Sequence, residues 1–208
     1  HCPTNSRQLI GQKITTKTLT HELLKDHIFY EESSGGITIS GGEPLYQPAF
    51  LTSLLNHLKI HNLHITIDTA GYAPTNVFKS ILNKADLLLY DLKIINDTLH
   101  QKYTGVSNQI IKKNLSIAQE NKIPTKIRFT IIPGITDTNT NIKDLIAYLQ
   151  HFKTIRTINL LPYHNVQEKY ERLGKTYVLK KTPPPTKERI QYIKKQCENS
   201  GYHTTIGG

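Results

Sequence analysis

The chain contains no methionine, no tryptophan and only two cysteines, Cys2 and Cys197, in 208 residues. A disulfide framework needs more cysteines than that, so a reducing compartment, the cytoplasm, is expected. The N-terminal stretch HCPTNSRQLIGQK lacks the charged-then-apolar pattern of a signal peptide. No run of about 18 apolar residues exists, so no membrane span is expected. The missing initiator methionine suggests a fragment or a processed product. What the chain does have is enough apolar character, 37%, to build one compact core. It also has an excess of base: 26 Lys and Arg against 16 Asp and Glu, a formal charge of +10. A nucleic-acid partner would fit that number. The lysines are scattered, however, and runs such as LKK and IKK read as solvated helix faces. Nucleic acid is therefore not the expected partner.

Hydrophobic periodicity alternates between two lengths. Helices are expected over residues 18–32, 47–61, 74–84, 107–121, 140–152 and 186–200. Strands are expected over 37–40, 63–67, 86–92, 126–132 and 157–161, with a weaker one in YHTTI near the end. About five short strands, apolar throughout and separated by helices, predict an α/β fold with a parallel sheet. An open doubly wound sheet and a barrel both satisfy this pattern. The glycine fingerprint of a dinucleotide site is absent. Cys197 falls in a helical pattern and reads as a packing residue.

In parallel α/β folds, ligands sit at the carboxyl ends of strands. The first such end reads Ser40-Gly41-Gly42-Glu43, and the second Asp68-Thr69-Ala70-Gly71. The third carries Asp91 and Lys93, two residues apart. The fourth has Arg128 within the strand and Pro133-Gly134 after it, and the fifth leads to Tyr163-His164. Each alone is unremarkable: an Asp after a strand is usually a turn residue, and Gly-Gly is usually a turn. Together they place two Asp, a Glu, a Lys, an Arg and a His on one rim. A zwitterionic ligand accounts for that set better than independent accidents do. No Cys/His cluster is among them, so they are not a soft-metal site.

These segments occur in one order: SGGEP, DTAGY, LYDLK, HQKYTGVSN, IPG and LLPYH. In that order they resemble the glycyl-radical-enzyme activating enzymes, of the pyruvate formate-lyase activating type, within the radical S-adenosylmethionine superfamily. The resemblance covers nearly the whole chain. It implies a partial (β/α)6 TIM-like barrel in which the first βα unit is missing, leaving about five parallel strands with flanking helices. It implies S-adenosylmethionine and a [4Fe-4S] cluster as cofactors, the cluster held by a C-x3-C-x2-C loop. Reductive cleavage of the cofactor gives a 5′-deoxyadenosyl radical, which takes hydrogen from a glycine of a partner glycyl radical enzyme. An electron donor such as flavodoxin or ferredoxin is implied as a second partner, in anaerobic metabolism. By motif, Ser40, Gly41, Gly42 and Glu43 are expected to hold the methionine end of the cofactor. Asp68, Thr69 and Asp91 resemble a polar site beside its carboxylate, where a monovalent cation binds, and Lys93 joins that network. Arg128 resembles a residue facing the cofactor, and His164 one near its adenine or ribose. No side chain is itself assigned as catalytic.

The departures bound what the chain does alone. It contains no C-x3-C-x2-C, so three thiolates for the cluster are not among its residues. Residues 1–15 resemble the end of a ferredoxin-like insertion carrying further clusters, with Cys2 as a remnant ligand, and residues 16–208 the partial barrel. The segment after His164, HNVQEKY, departs from the family pattern. The expectation is an activase whose present residues are inactive by themselves. The rivals are another radical S-adenosylmethionine enzyme, or a non-catalytic split or degenerate module that binds cofactor or partner.

Overall fold

The computed structural model describes residues 12–172, 174 and 176–207. Cys2 and most of the segment read as an insertion remnant lie outside the described residues. Six strands make one sheet: β1 (Gly36–Ile39), β2 (His64–Thr69), β3 (Leu87–Asp91), β4 (Thr125–Ile131), β5 (Thr157–Pro162) and β6 (His203–Ile206). They pair in parallel and in the order of the chain, β1 to β6. That order decides between the two architectures the sequence allows. A doubly wound sheet reverses direction once, whereas here every crossover advances the same way. Right-handed crossovers that never reverse put all helices on one face, which is the wall of a partial barrel. The weak strand YHTTI is real, so the sheet has six strands rather than about five.

The helices are α1 (Thr16–Leu24), α2 (His27–Glu32), α3 (Pro48–Ile60), α4 (Thr75–Leu82), α5 (Asp97–Thr104), α6 (Gln109–Glu120), α7 (Asn139–Leu149), α8 (Gln167–Arg172) and α9 (Lys187–Asn199). The single helix expected over 18–32 is two. The chain turns at Lys25–Asp26, and beyond the turn Ile28 and Phe29 stand exposed while Leu19, Leu23 and Leu24 pack on the core. α5 was not visible as apolar periodicity. Its local signal is a cap: Asn96 Oδ1 accepts from the Leu99 amide at 3.0 Å.

The strands are not apolar throughout. Ile65 and Ile67, Leu88 and Tyr90, Ile127 and Phe129, and Ile158 and Leu160 face the helices and are fully buried, against Leu55, Leu58 and Leu115. Each such aliphatic side chain contributes about 1.5–3 kcal/mol by burial. The alternate residues, on the face the helices leave bare, include Thr38, Thr66, Asp68, Asp91, Arg128, Thr130, Asn159 and Thr205, together with the apolar Leu87, Leu89 and Leu161. A period of two with one predominantly polar face, charged at Asp68, Asp91 and Arg128, means that this inner face is not ordinary protein core. Cys197 is fully buried in α9, and burial first, then Glu198, pushes its thiol up to about 11, so it stays protonated and inert. No helix among the described residues is long and apolar enough to cross a membrane.

At the opposite end of the barrel, Asp86 ties α3 to the start of β2. Its carboxylate accepts from Lys59 Nζ at 2.7 and 2.8 Å and from the Ile65 amide at 2.8 Å. Burial pushes its pKa up, but the Lys59 and Ile65 hydrogen bonds outweigh burial, and the net shift is downward. A lowered folded-state pKa gives stability that is fully present above the unfolded value, 3.8, and is lost as pH falls through the folded value. Asp86→Asn should therefore lower the melting temperature at neutral pH and flatten its fall below pH about 4. Thermal melts over an acid pH series check this; parallel curves for the two proteins would refute it.

Candidate cofactor site

Each strand of the rim delivers its group from the position where extended backbone stops. β1 ends at Ile39, and Ser40-Gly41-Gly42 turn away from it. Gly41 holds φ +135, a conformation that favours glycine. Gly42 has no such requirement, and among the described residues a Cβ placed on it would meet nothing within 4 Å. Neither its backbone nor its protein neighbours explain why residue 42 lacks a side chain. A cavity of about 220 Å³ lies beside the turn, lined by Ser40, Gly41 and Gly42 and backed by Phe50, Leu51 and Leu54.

Glu43 lines that space too, and its carboxylate is held by donors of the protein. Its carboxylate accepts from Thr69 Oγ1 at 2.6 Å, from the Ala70 amide at 2.9 Å and from the Leu45 amide at 3.2 Å. The last bond caps the 3-10 turn Pro44–Tyr46. Thr69 in turn accepts from the Gly71 amide at 2.8 Å and is 3% exposed. Glu43 and Thr69, both expected to touch the ligand, thus form a brace between the ends of β1 and β2. Behind the brace, Gly71 (φ +68) lies so close to the Tyr90 ring that a Cβ would sit 1.8 Å from its hydroxyl.

The charged groups meet on the inner face. Asp68 Oδ2 accepts from Ser40 Oγ at 3.0 Å and from Arg128 Nη1. Lys93 Nζ donates to Asp91 Oδ2 at 3.0 Å, and Arg128 Nε stands 3.9 Å from Asp91 Oδ1. Two carboxylates and two cations make a neutral, half-buried cluster. Among the described residues, Arg128 Nε and Asp91 Oδ1 are nevertheless buried without a hydrogen-bond partner, so the protein leaves one donor and one acceptor unsatisfied. His164 follows β5 on the same rim, exposed, and makes no side-chain hydrogen bond among the described residues.

The sequence reading missed the buried amides that hold this rim. Asn141, 4% exposed in α7, donates to the Lys93 carbonyl at 2.9 Å and the Thr136 carbonyl at 2.8 Å and accepts from the Ile95 amide at 3.0 Å. Asn108 donates to the carbonyls of Ile94 and Ile95, both at 2.9 Å. Asn114 donates to those of Gly71 at 2.8 Å and Ala73 at 2.9 Å. Their only sequence signal is an asparagine on the inward side of a helix or at its start.

No group of three metal-ligating His, Cys, Asp or Glu side chains occurs among the described residues. The chain's two cysteines do not supply three thiolates, so its own residues do not fit a [4Fe-4S] cluster. They do fit a zwitterionic cofactor: a backbone edge open at Gly42, an orphaned acceptor on Asp91 and an orphaned donor on Arg128.

A one-directional βα half-barrel with such a rim is the architecture of a cofactor-binding α/β enzyme. Comparison with known proteins makes the family specific. The family model "Radical SAM superfamily" matches residues 1–148. The trans-4-hydroxy-L-proline dehydratase activating enzyme of Clostridioides difficile is 39% identical over 208 residues, 98% of this chain and 68% of that one. The pyruvate formate-lyase 2-activating enzyme of Escherichia coli K12 is 33% identical over 100% of this chain and 71% of its own. The crystal structure of a domain of pyruvate-formate lyase-activating enzyme from Bacteroides vulgatus superposes with a TM-score of 0.70 at 32% identity, over 84% of this chain and 99% of that one. The chain belongs to the radical SAM superfamily and, within it, to the glycyl-radical-enzyme activating enzymes. It is accordingly that of a radical S-adenosylmethionine oxidoreductase, and the family implies S-adenosylmethionine and a [4Fe-4S] cluster as cofactors.

Proposed function

We propose that residues 36–164 hold S-adenosylmethionine for hydrogen abstraction from a glycine of a partner glycyl radical enzyme. The observation that carries the reading is Gly42, a glycine that neither its backbone nor the described residues around it require, in the turn whose Ser40 bonds Asp68 of a neutral cluster with Asp91, Lys93 and Arg128. The cofactor's ammonium lies against the backbone of Gly41 and Gly42, where only carbonyls and amides are presented. Its carboxylate meets the cations, Lys93 and Arg128, while Asp68 and Asp91 balance the charge. Asp91 Oδ1, buried and without a donor, is the acceptor beside which a monovalent cation would sit. His164 closes the rim on the side of β5. When bound, the cluster and cofactor together supply the radical chemistry, and the residues of this chain bind and orient. The dehydratase- and formate-lyase-activating relatives support a glycyl radical enzyme as partner; a flavodoxin or ferredoxin as electron source in a reducing cytoplasm belongs to the same proposal and rests on the sequence resemblance.

The test is calorimetric titration of the 208-residue chain with S-adenosylmethionine. Saturable one-to-one binding is expected, abolished by Lys93→Ala combined with Asp91→Ala. After anaerobic treatment with iron, sulfide and dithionite, the chain should release no 5′-deoxyadenosine, because its residues do not supply three thiolates. Binding that ignores the double substitution would overturn the site, and cofactor cleavage by the chain alone would overturn its dependence on thiolates from elsewhere.

A further inference from the structure

The bare inner face of the sheet divides into two halves. Toward β1 it carries the charges of the cofactor reading. Toward β6, at the same level, it is neutral. Asp91, Arg128, Asn159 and Thr205 stand side by side in register across β3, β4, β5 and β6. Neighbouring strands lie about 4.8 Å apart, so Thr205 is roughly 10 Å from Arg128 along the row. Asn159 Nδ2 donates to Thr205 Oγ1 at 2.6 Å, and neither side chain has another hydrogen-bond partner among the described residues. That leaves the Asn159 Oδ1 as an acceptor, and the second Asn159 amide hydrogen and the Thr205 hydroxyl hydrogen as donors, on two half-buried side chains presented together.

The pair differs from the structural asparagines of the same fold. Asn108, Asn114 and Asn141 each give both amide hydrogens to main-chain carbonyls of the protein. Asn159 fastens no loop and no helix. It orients a hydroxyl on the open face and keeps its own oxygen available.

We propose that Asn159 and Thr205 form a subsite for one peptide group of the partner's glycine-bearing loop. A peptide group offers one N–H and one C=O, which the Asn159 oxygen and a free hydrogen of the pair match. A neutral pair beyond the charged half suits main chain better than a charged side chain. A glycine segment leaves its main chain open to such side-on recognition. The proposal rests on the proposed function, since it makes the row from Asp91 to Thr205 a single bench with cofactor at one end and substrate at the other.

The test uses the isotope-labelled full chain and the blocked peptide acetyl-Ala-Ala-Gly-Ala-Ala-amide, titrated with and without S-adenosylmethionine. The Asn159 side-chain amide resonances should shift on peptide addition. In Asn159→Leu/Thr205→Val the peptide affinity should drop about tenfold, the loss of two neutral hydrogen bonds. S-adenosylmethionine affinity should stay unchanged. Thr205→Val alone, which keeps the side-chain shape, should lose part of the peptide affinity and guards against misfolding of the double variant. Peptide binding that is undetectable, or equal in variant and wild type, overturns the subsite. Loss of cofactor affinity in Thr205→Val assigns the pair to the cofactor instead and also overturns it. Failure of the cofactor reading is separate, because it registers as absent S-adenosylmethionine binding by the wild type, while the peptide titration without cofactor still reads the subsite.

Discussion

Gly42→Ala should cost the protein S-adenosylmethionine affinity by about 10- to 100-fold while leaving its melting temperature within about 1–2 °C of wild type. The stability half follows from the fold. Gly42 lies outside the left-handed region, and among the described residues an added methyl meets nothing within 4 Å. Substitutions without such conflicts fall within about 0.5 kcal/mol, which for a chain of this size is about 1–2 °C. The affinity half follows from the ligand filling that open space. A methyl forced between a backbone edge and a closely packed partner costs about 1–3 kcal/mol, or roughly 10- to 100-fold. Gly71→Ala is the control of opposite sign. There the methyl would meet the Tyr90 hydroxyl at 1.8 Å, in a backbone at φ +68. Overpacking and left-handed strain together cost about 2–4 kcal/mol, so the melting temperature should fall by roughly 5–15 °C. Thermal melts and calorimetric titrations of both variants decide the matter. A Gly42→Ala protein that binds the cofactor normally would remove the observation on which the cofactor site rests.

The contrast between those two glycines shows what a sequence carries and what it does not. Both stand at strand ends after short apolar runs, and both read as turn residues. Only the positions of Tyr90 and of empty space separate the one the fold needs from the one it does not. The alternation of elements was legible because β and α periods differ, and the rim followed because parallel strands end on one side. Strand order was not legible, since nothing local records whether a crossover advances or reverses. Nor was the bare inner face, because Thr66, Thr130 and Asn159 read as ordinary members of β-rich segments until the helices are seen to cover one side only. α5 escaped because its exposed residues, Leu99 and Tyr103, give no buried stripe; its cap at Asn96 was the surer signal. The direction of the Glu43 carboxylate escaped for the same reason as the two glycines. A motif names the residue, while its partners come from β2, 26 residues further on.

Glu43→Gln tests whether that carboxylate braces the site or touches the ligand, because the two roles predict different data. All three groups around it are donors: the Leu45 amide, the Thr69 hydroxyl and the Ala70 amide. Only a group with two acceptor oxygens and no hydrogen satisfies them. Glutamine must turn its NH2 toward a donor whichever way it flips. Toward Ala70 it strands that amide, and toward Leu45 and Thr69 it opens the turn at Pro44–Tyr46. Thr69 has no easy escape, since accepting from that NH2 would leave its own hydroxyl hydrogen, now given to Glu43, without its acceptor. Losing a charge-assisted bond and leaving a donor unmatched costs about 1.5–3 kcal/mol, so the melting temperature of the cofactor-free protein should fall by roughly 3–12 °C. Cofactor affinity should fall with it, about tenfold, because the Gly41-Gly42 turn is no longer fixed against Asp68. Were Glu43 a direct ligand of the cofactor's ammonium, the cofactor-free protein would melt as wild type does and only the affinity would drop. Thr69→Val supplies the second reading from the other side of the brace. It removes the hydroxyl that Glu43 accepts from and should reproduce the stability loss, although in the brace geometry residue 69 presents nothing to the ligand. Equal melting curves for wild type and both variants would assign Glu43 to the cofactor and dissolve the brace.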